Sequence, residues 1–143
     1  MFSKTCEYAI RAMLYIAQKT KDGERVSIKA IAKGIDSPEH FVAKILQELS
    51  RKNLVKSIKG PNGGFYHDMD TLNQSLADIV KLIDGNKIFE GCGLGLKQCS
   101  ESHPCPIHFE FKKIRTEMTA LLENSKLGKF SSELEKELLF LRR

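Results

Sequence analysis

Val55–His67, reading VKSIKGPNGGFYH, limits the fold of this chain more than any other stretch. Val55–Lys59 has the make-up of a strand and Phe65–His67 that of its partner. Gly60-Pro61-Asn62-Gly63-Gly64 between them makes the turn. The pattern predicts a basic, glycine-rich hairpin.

The segments before the hairpin read as helices. Residues 5–19 place Ala9, Ile10, Met13, Leu14 and Ala17 at helical spacing, with Ile16 widening the stripe. Thr5 is the expected cap, Glu7 suits the positive first turn, and Lys21-Asp22-Gly23-Glu24 reads as a turn. Ser27 caps a short helix with Ile28, Ile31 and Ala32 on its apolar face, and Gly34 ends it. Ser37-Pro38-Glu39 opens the next as cap, first-position proline and first-turn acid. Phe41, Val42, Ile45, Leu46 and Leu49 form its buried side. Two short helices joined by a tight turn, then a basic hairpin, have the layout of a winged helix-turn-helix. The second short helix would enter the major groove and the hairpin would touch the backbone or minor groove.

Charge supports a polyanionic partner. Residues 1–67 carry 12 Lys/Arg against 6 Asp/Glu, whereas residues 68–143 carry 11 against 12. Lys4, Lys44, Arg51, Lys52, Lys56 and Lys59 supply cations for phosphates, and glycines 60, 63 and 64 let the hairpin backbone approach closely. Base reading falls to the start of the second helix, at Pro38, Glu39, His40, Ala43 and Lys44. Lys59, Gly60, Asn62, Gly63 and Gly64 complete the expected DNA-binding set.

Beyond the hairpin, Ser75 starts a helix with Leu76, Ile79, Val80 and Ile83 inside and Gly85 past its end. Residues 86–106 have no useful periodicity and hold Cys92, Cys99 and Cys105 in the pattern C-x6-C-x5-C. Function or a metal is needed to order so long a loop. Clustered thiols in a reducing compartment bind metal or do redox chemistry more often than they form structural disulfides. His108, on the first turn of the following helix, is a candidate fourth ligand; His103 is a weaker one, because Pro104 follows it. Cys6 reads as a core thiol. From Ile107 to about Glu123 the positions Ile107, Phe111, Ile114, Met118 and Leu121 step by 4, 3, 4, 3, the seam of a helix that packs on a partner helix. Ser132-x-x-Glu135 reads as a capping box for a last short helix carrying Leu134, Leu138 and Leu139, after a break at Gly128.

The expected fold is mainly α with a small β-hairpin: a winged helix-turn-helix plus a long dimerisation helix. The expected division is a DNA-binding domain at 1–85, a cysteine-rich loop at 86–106, and the dimerisation and C-terminal helices at 107–143. No apolar run reaches the length of a membrane span and the first residues lack a cleavable signal pattern, so the expected location is the cytoplasm. No Ser/His/Asp set, phosphate-binding glycine loop or paired carboxylates point to an enzyme.

CEYAIRAMLYIA in the first helix, KGPNGGFY in the hairpin and the C-x6-C-x5-C-PIH segment together resemble the bacterial iron–sulfur winged-helix regulators of the IscR/NsrR family. The resemblance runs from about Phe2 to Gly128. It implies a homodimeric transcription factor that binds double-stranded, palindromic promoter DNA. It also implies a 2Fe–2S or 4Fe–4S cluster on Cys92, Cys99 and Cys105 whose state sets DNA affinity and which senses redox state, nitric oxide or iron–sulfur supply. IscR-like members take a histidine shortly after the third cysteine as fourth ligand, and His108 stands there; NsrR-like members take an early acid of the other subunit's first helix, and Glu7 stands there. Ala43 occupies the place of a recognition-helix glutamate in IscR-like members, so their site preferences do not carry over. Two rival readings are a zinc-stabilised nucleic-acid-binding protein, from C-x6-C-x5-C-x2-H, and a cluster-free thiol-switch repressor.

Overall fold

Ser3 starts the first helix, and it does so through a partner far away in sequence. The Asp84 carboxylate accepts from the Ser3 N–H at 2.8 Å and from its hydroxyl. The Ser3 Oγ in turn accepts from the Cys6 N–H at 3.1 Å. The cap is therefore Ser3 and not Thr5, and α1 spans Lys4–Lys19. These features come from a computed structural model describing residues 1–20 and 23–143. Lys21 and Asp22 of the expected turn lie outside the described residues; Gly23 follows with a φ of 78°.

The chain continues through α2 (Ile28–Gly34), α3 (Glu39–Arg51), β1 (Lys56–Ile58), β2 (Gly64–Tyr66), α4 (Met69–Leu72), α5 (Leu76–Ile83), α6 (Lys87–Glu90), α7 (His108–Asn124), a 3-10 turn (Leu127–Phe130) and α8 (Ser131–Glu135). The fold is mainly helical with one antiparallel hairpin, in the register Lys56↔Tyr66, Ser57↔Phe65 and Ile58↔Gly64. It is the expected winged-helix layout.

One core ties the helix-turn-helix together. Met13, Ile16, Ile31, Ile35, Leu46, Leu49 and Val55 are fully buried in it, as is Leu127 from beyond α7. A second cluster of Cys6, Ala77, Val80 and Leu122 joins the start of α1 to α5 and α7. Cys6 is a core thiol: burial first, then the charge of Asp84, pushes its pKa up to about 12. His67 closes β2 onto α1 and α4. Its Nε2 lies 3.1 Å from the Met13 carbonyl and its Nδ1 3.0 Å from the Thr71 hydroxyl. A carbonyl only accepts, so Nε2 carries the proton and Nδ1 accepts. Burial lowers the His67 pKa to about 4.

Several local expectations need correction. Ser37 does not cap α3: its hydroxyl turns back to the Ile35 carbonyl at 3.3 Å, and Pro38 is the N-cap without a side-chain bond. Phe41 is not buried but 49% exposed, stacked on His40 with ring centres 4.4 Å apart and tilted toward Tyr8 at 6.5 Å. Residues 86–106 are not wholly irregular, because α6 lies within them. Ser132 lies inside α8, whose N-cap is Phe130, so it is not the cap of that helix. Gly128 lies within the 3-10 turn. Leu134 is buried, whereas Leu138 and Leu139 stay exposed.

Candidate functional site

The candidate DNA-facing surface consists of α3 and the hairpin. The buried stripe Val42, Ile45, Leu46 and Leu49 fixes the rotation of α3, which leaves Pro38, Glu39, His40 and Lys44 exposed and Ala43 half-buried. Lys59, Gly60 and Asn62 are exposed at the hairpin tip, with Gly63 and Gly64 half-buried. A cleft of about 770 Å³ separates α3 from the hairpin, with Glu39, Gln47 and Arg51 on one wall and Ser57 and Lys59 on the other.

The hairpin is anchored at its base. Val26, before α2, exchanges two backbone hydrogen bonds of 2.8 Å with Phe65. Gly64 makes this approach possible: its φ is 149°, and a Cβ there would lie 2.8 Å from the Val26 carbonyl oxygen. Arg25 reaches the tip, its Nη1 donating to the Asn62 carbonyl at 3.3 Å. Arg25, Lys29 and Gln47 add polar groups around this surface that periodicity did not single out; for Arg25 the signal was a cation one residue before the buried Val26. Lys4 is exposed and pairs with Glu7 at 3.2 Å.

The cysteine loop leaves α6 at Gly91 and returns at the first turn of α7. Four of the expected ligands meet there as two pairs. Cys92 Sγ and Cys105 Sγ are 3.8 Å apart, and Cys99 Sγ lies 3.4 Å from His108 Nδ1. All three loop thiols are free and half-buried. The backbone amides of Leu94 and Leu96 are the main groups that lower the Cys92 pKa, helped by Cys105 and Gly95, an arrangement that favours thiolate. His108 is buried, and its Nε2 has no hydrogen-bond partner among the described residues. Such an orphaned atom costs about 1–3 kcal/mol unless something binds it. As they stand, the pairs do not converge: no group of three or more His, Cys, Asp or Glu among the described residues is gathered closely enough to hold a metal ion. The donor chemistry nonetheless fits an iron–sulfur group: three free thiols, one held toward thiolate, and an imidazole with a spare nitrogen.

Glu7 and His103 are not brought to these pairs. Glu7 faces a groove shared with Arg11 and residues 140–143. His103 is exposed, its Nδ1 3.1 Å from the Ser102 hydroxyl.

Helix α7 buries only one side. Leu122 is buried and Met118 packs with it, while Ile114 is 62% and Leu121 64% exposed. Three of the five expected seam positions, Ile107, Ile114 and Leu121, thus lie in water. No helix among the described residues is long and apolar enough to cross a membrane.

A helix-turn-helix whose second helix leads with exposed polar groups, backed by a basic hairpin, makes this a winged-helix DNA-binding protein. Comparison with known proteins carries the assignment further. Residues 2–133 match the Rrf2 family, described as iron-dependent transcriptional regulators, and the chain belongs to that family. An Aquifex aeolicus protein described as an HTH-type transcriptional regulator is 30% identical over 140 residues, 96% of either chain. Two solved structures share the fold. CymR of B. subtilis, described as a global cysteine regulator, has a TM-score of 0.71 at 23% identity, covering 92% of this chain and 96% of its own. IscR of T. potens has a TM-score of 0.72 at 19% identity, covering 97% and 91%. The chain is a transcriptional regulator and not an enzyme.

Proposed function

We propose that this regulator is a cytoplasmic homodimer whose grip on palindromic promoter DNA is set by an iron–sulfur cluster, 2Fe–2S or 4Fe–4S. Cys92, Cys99, Cys105 and His108 would hold the group. The observation that carries the reading is the buried His108 ring, with one nitrogen 3.4 Å from the Cys99 sulfur and the other without a partner. When bound, the group supplies a centre sensitive to redox state, nitric oxide or iron–sulfur supply.

The chain's own residues connect that site to DNA. His108 is the first residue of α7, and its N–H donates to the Cys105 carbonyl at 3.0 Å. The position of the loop is thereby coupled to the helix that carries Ile107, Ile114 and Leu121. The exposure of these side chains supports the dimer, in which they would pack on a second copy. Two half-sites require the paired α3 helices to sit about one DNA turn apart, roughly 34 Å. An ordered loop fixes that spacing and a free loop relaxes it. A difference of ~1–3 kcal/mol between the two states makes a useful switch. Pro38, Glu39, His40, Ala43 and Lys44 read bases, while Lys59, Gly60, Asn62, Gly63 and Gly64 hold the backbone or minor groove.

Oxygen-free purification tests the reading. The expected protein is brown and contains iron and acid-labile sulfide, with nuclearity given by its visible and Mössbauer spectra. His108→Ala is expected to lower cluster retention, and Glu7→Ala to leave it unchanged; the reverse result would assign the fourth ligand to the partner's first helix. Equal promoter affinity of loaded and cluster-free protein at one salt concentration would end the switch proposal.

One observation favours a second reading. The Cys92 and Cys105 sulfurs are 3.8 Å apart, close enough for oxidation to join them with little movement. Metal-free protein with these two thiols lost on oxidation, counted by mass spectrometry, would establish a thiol switch. A colourless protein with one zinc per chain would establish structural zinc.

A further inference from the structure

We propose that Arg115 is the positioning residue of the cysteine site, pinning the Cys99 sulfur and the entry of the loop to α7. The proposal deepens the iron–sulfur reading and, in its second readout, rests on it.

Helix geometry places Arg115 where this role requires. Arg115 follows His108 by two turns of α7, so the two share one face. Helical side chains lean toward the N-terminus, and the long arginine side chain therefore reaches back along that face toward the histidine. Its Nη1 donates to the Gly91 carbonyl at 2.6 Å and to the Cys99 sulfur at 3.3 Å. One nitrogen thus bridges the residue before Cys92 and the middle cysteine. Arg115 is half-buried, with its guanidinium 5.9 Å from the centre of the Phe111 ring. That ring also supports the loop, since a Cβ on Gly93 would lie 2.9 Å from it. Among the described residues Arg115 is the one Lys or Arg hydrogen-bonded to a loop cysteine. Lys112, on the outer face, takes Glu101 instead.

Two consequences follow from the chemistry. The rigid fork of guanidinium donors serves the same acceptors whether or not the site is loaded. A cation donating to a ligating sulfur also favours the more negative, reduced state of a cluster, so it raises the potential.

The test compares wild type, Arg115→Met and Arg115→Lys, with two readouts. In cluster-free protein, amide exchange across residues 91–99 is expected to rise about tenfold in Arg115→Met, while amides of α3 stay as in wild type and report an intact fold. In loaded protein, the midpoint potential is expected to fall in Arg115→Met and to be partly restored in Arg115→Lys, which keeps the charge. Unchanged exchange would overturn the proposal. A potential unmoved by Arg115→Met would also overturn it, because Arg115 would then only pack the loop. If wild type holds neither iron nor sulfide, the cluster reading falls, and the exchange result alone decides the role of Arg115.

Discussion

The helix-turn-helix and the cysteine loop are held in place by different means. The former is fixed by fully buried side chains from α1, α2 and α3, with Leu127 inserted from beyond α7. The latter has Leu94 and Leu96 in water and is tied down by polar contacts at Gly91, Cys99 and Cys105. Packing of apolar volume gives one geometry whatever the chain binds. A loop held by a few hydrogen bonds has a geometry that a ligand can reset. Under the proposed function, the helix-turn-helix would be the constant part and the cysteine loop the conditional one.

The largest expected effect lies in the constant region. Leu46→Ala, at a fully buried site, is expected to cost about 2–5 kcal/mol in denaturant unfolding. Leu94→Ala in the exposed loop is expected to stay within ~0.5 kcal/mol. Similar losses from the two variants would break the contrast.

Acid gives the next largest effect, through His67. The unfolded chain takes up a proton on this residue near pH 6.5, whereas the folded chain resists until about pH 4. Stability contributed by neutral His67 is therefore present above pH 6.5 and is lost as the pH falls toward 4. The loss is roughly 3 kcal/mol over that window. Unfolding midpoints of wild type and His67→Gln across the same range check it, with the variant expected to show a flatter dependence.

DNA binding sharpens the contrast from the surface. Arg25→Ala is expected to weaken binding several-fold at all sequences and to reduce the slope of log affinity against log salt by about 1 if Arg25 contacts a phosphate. Glu39→Ala is expected to alter preference among sequences, leaving that slope nearly unchanged. Gel shifts at several salt concentrations separate the two.

The smallest effect is the most specific to the loop. Cys105→Ser is expected to abolish cluster retention yet shift the unfolding free energy of cluster-free protein by no more than ~0.5 kcal/mol. A large destabilisation would mean that the loop thiols are structural.

The division between the two regions also explains what could be read from the residues alone. Elements with strong periodicity and local caps, such as α2 with Ser27 and α5 with Ser75, are legible because their determinants lie within a few residues. The Ser3 cap was missed because its position is settled by Asp84, 81 residues away. Phe41 fits the helical stripe by spacing, yet α3 packs more narrowly than its pattern, and the ring stays at the surface against His40 and Tyr8. In the candidate site, residue type and spacing gave the cysteines and His108. They did not give the pairing of Cys92 with Cys105 and of Cys99 with His108, nor the reach of Arg115 and Arg25, all of which depend on loop path and tertiary approach.

The bolt between Val26 and Phe65 has an evolutionary consequence. It makes the base of the hairpin part of the body of the protein, so substitutions there are filtered by folding. Lys59, Pro61 and Asn62, beyond the bolt and exposed, escape that filter, whereas Gly60 at a φ of 110° does not. Under the proposed function, drift at these positions would retune how firmly the hairpin holds DNA without first passing through an unstable ancestor.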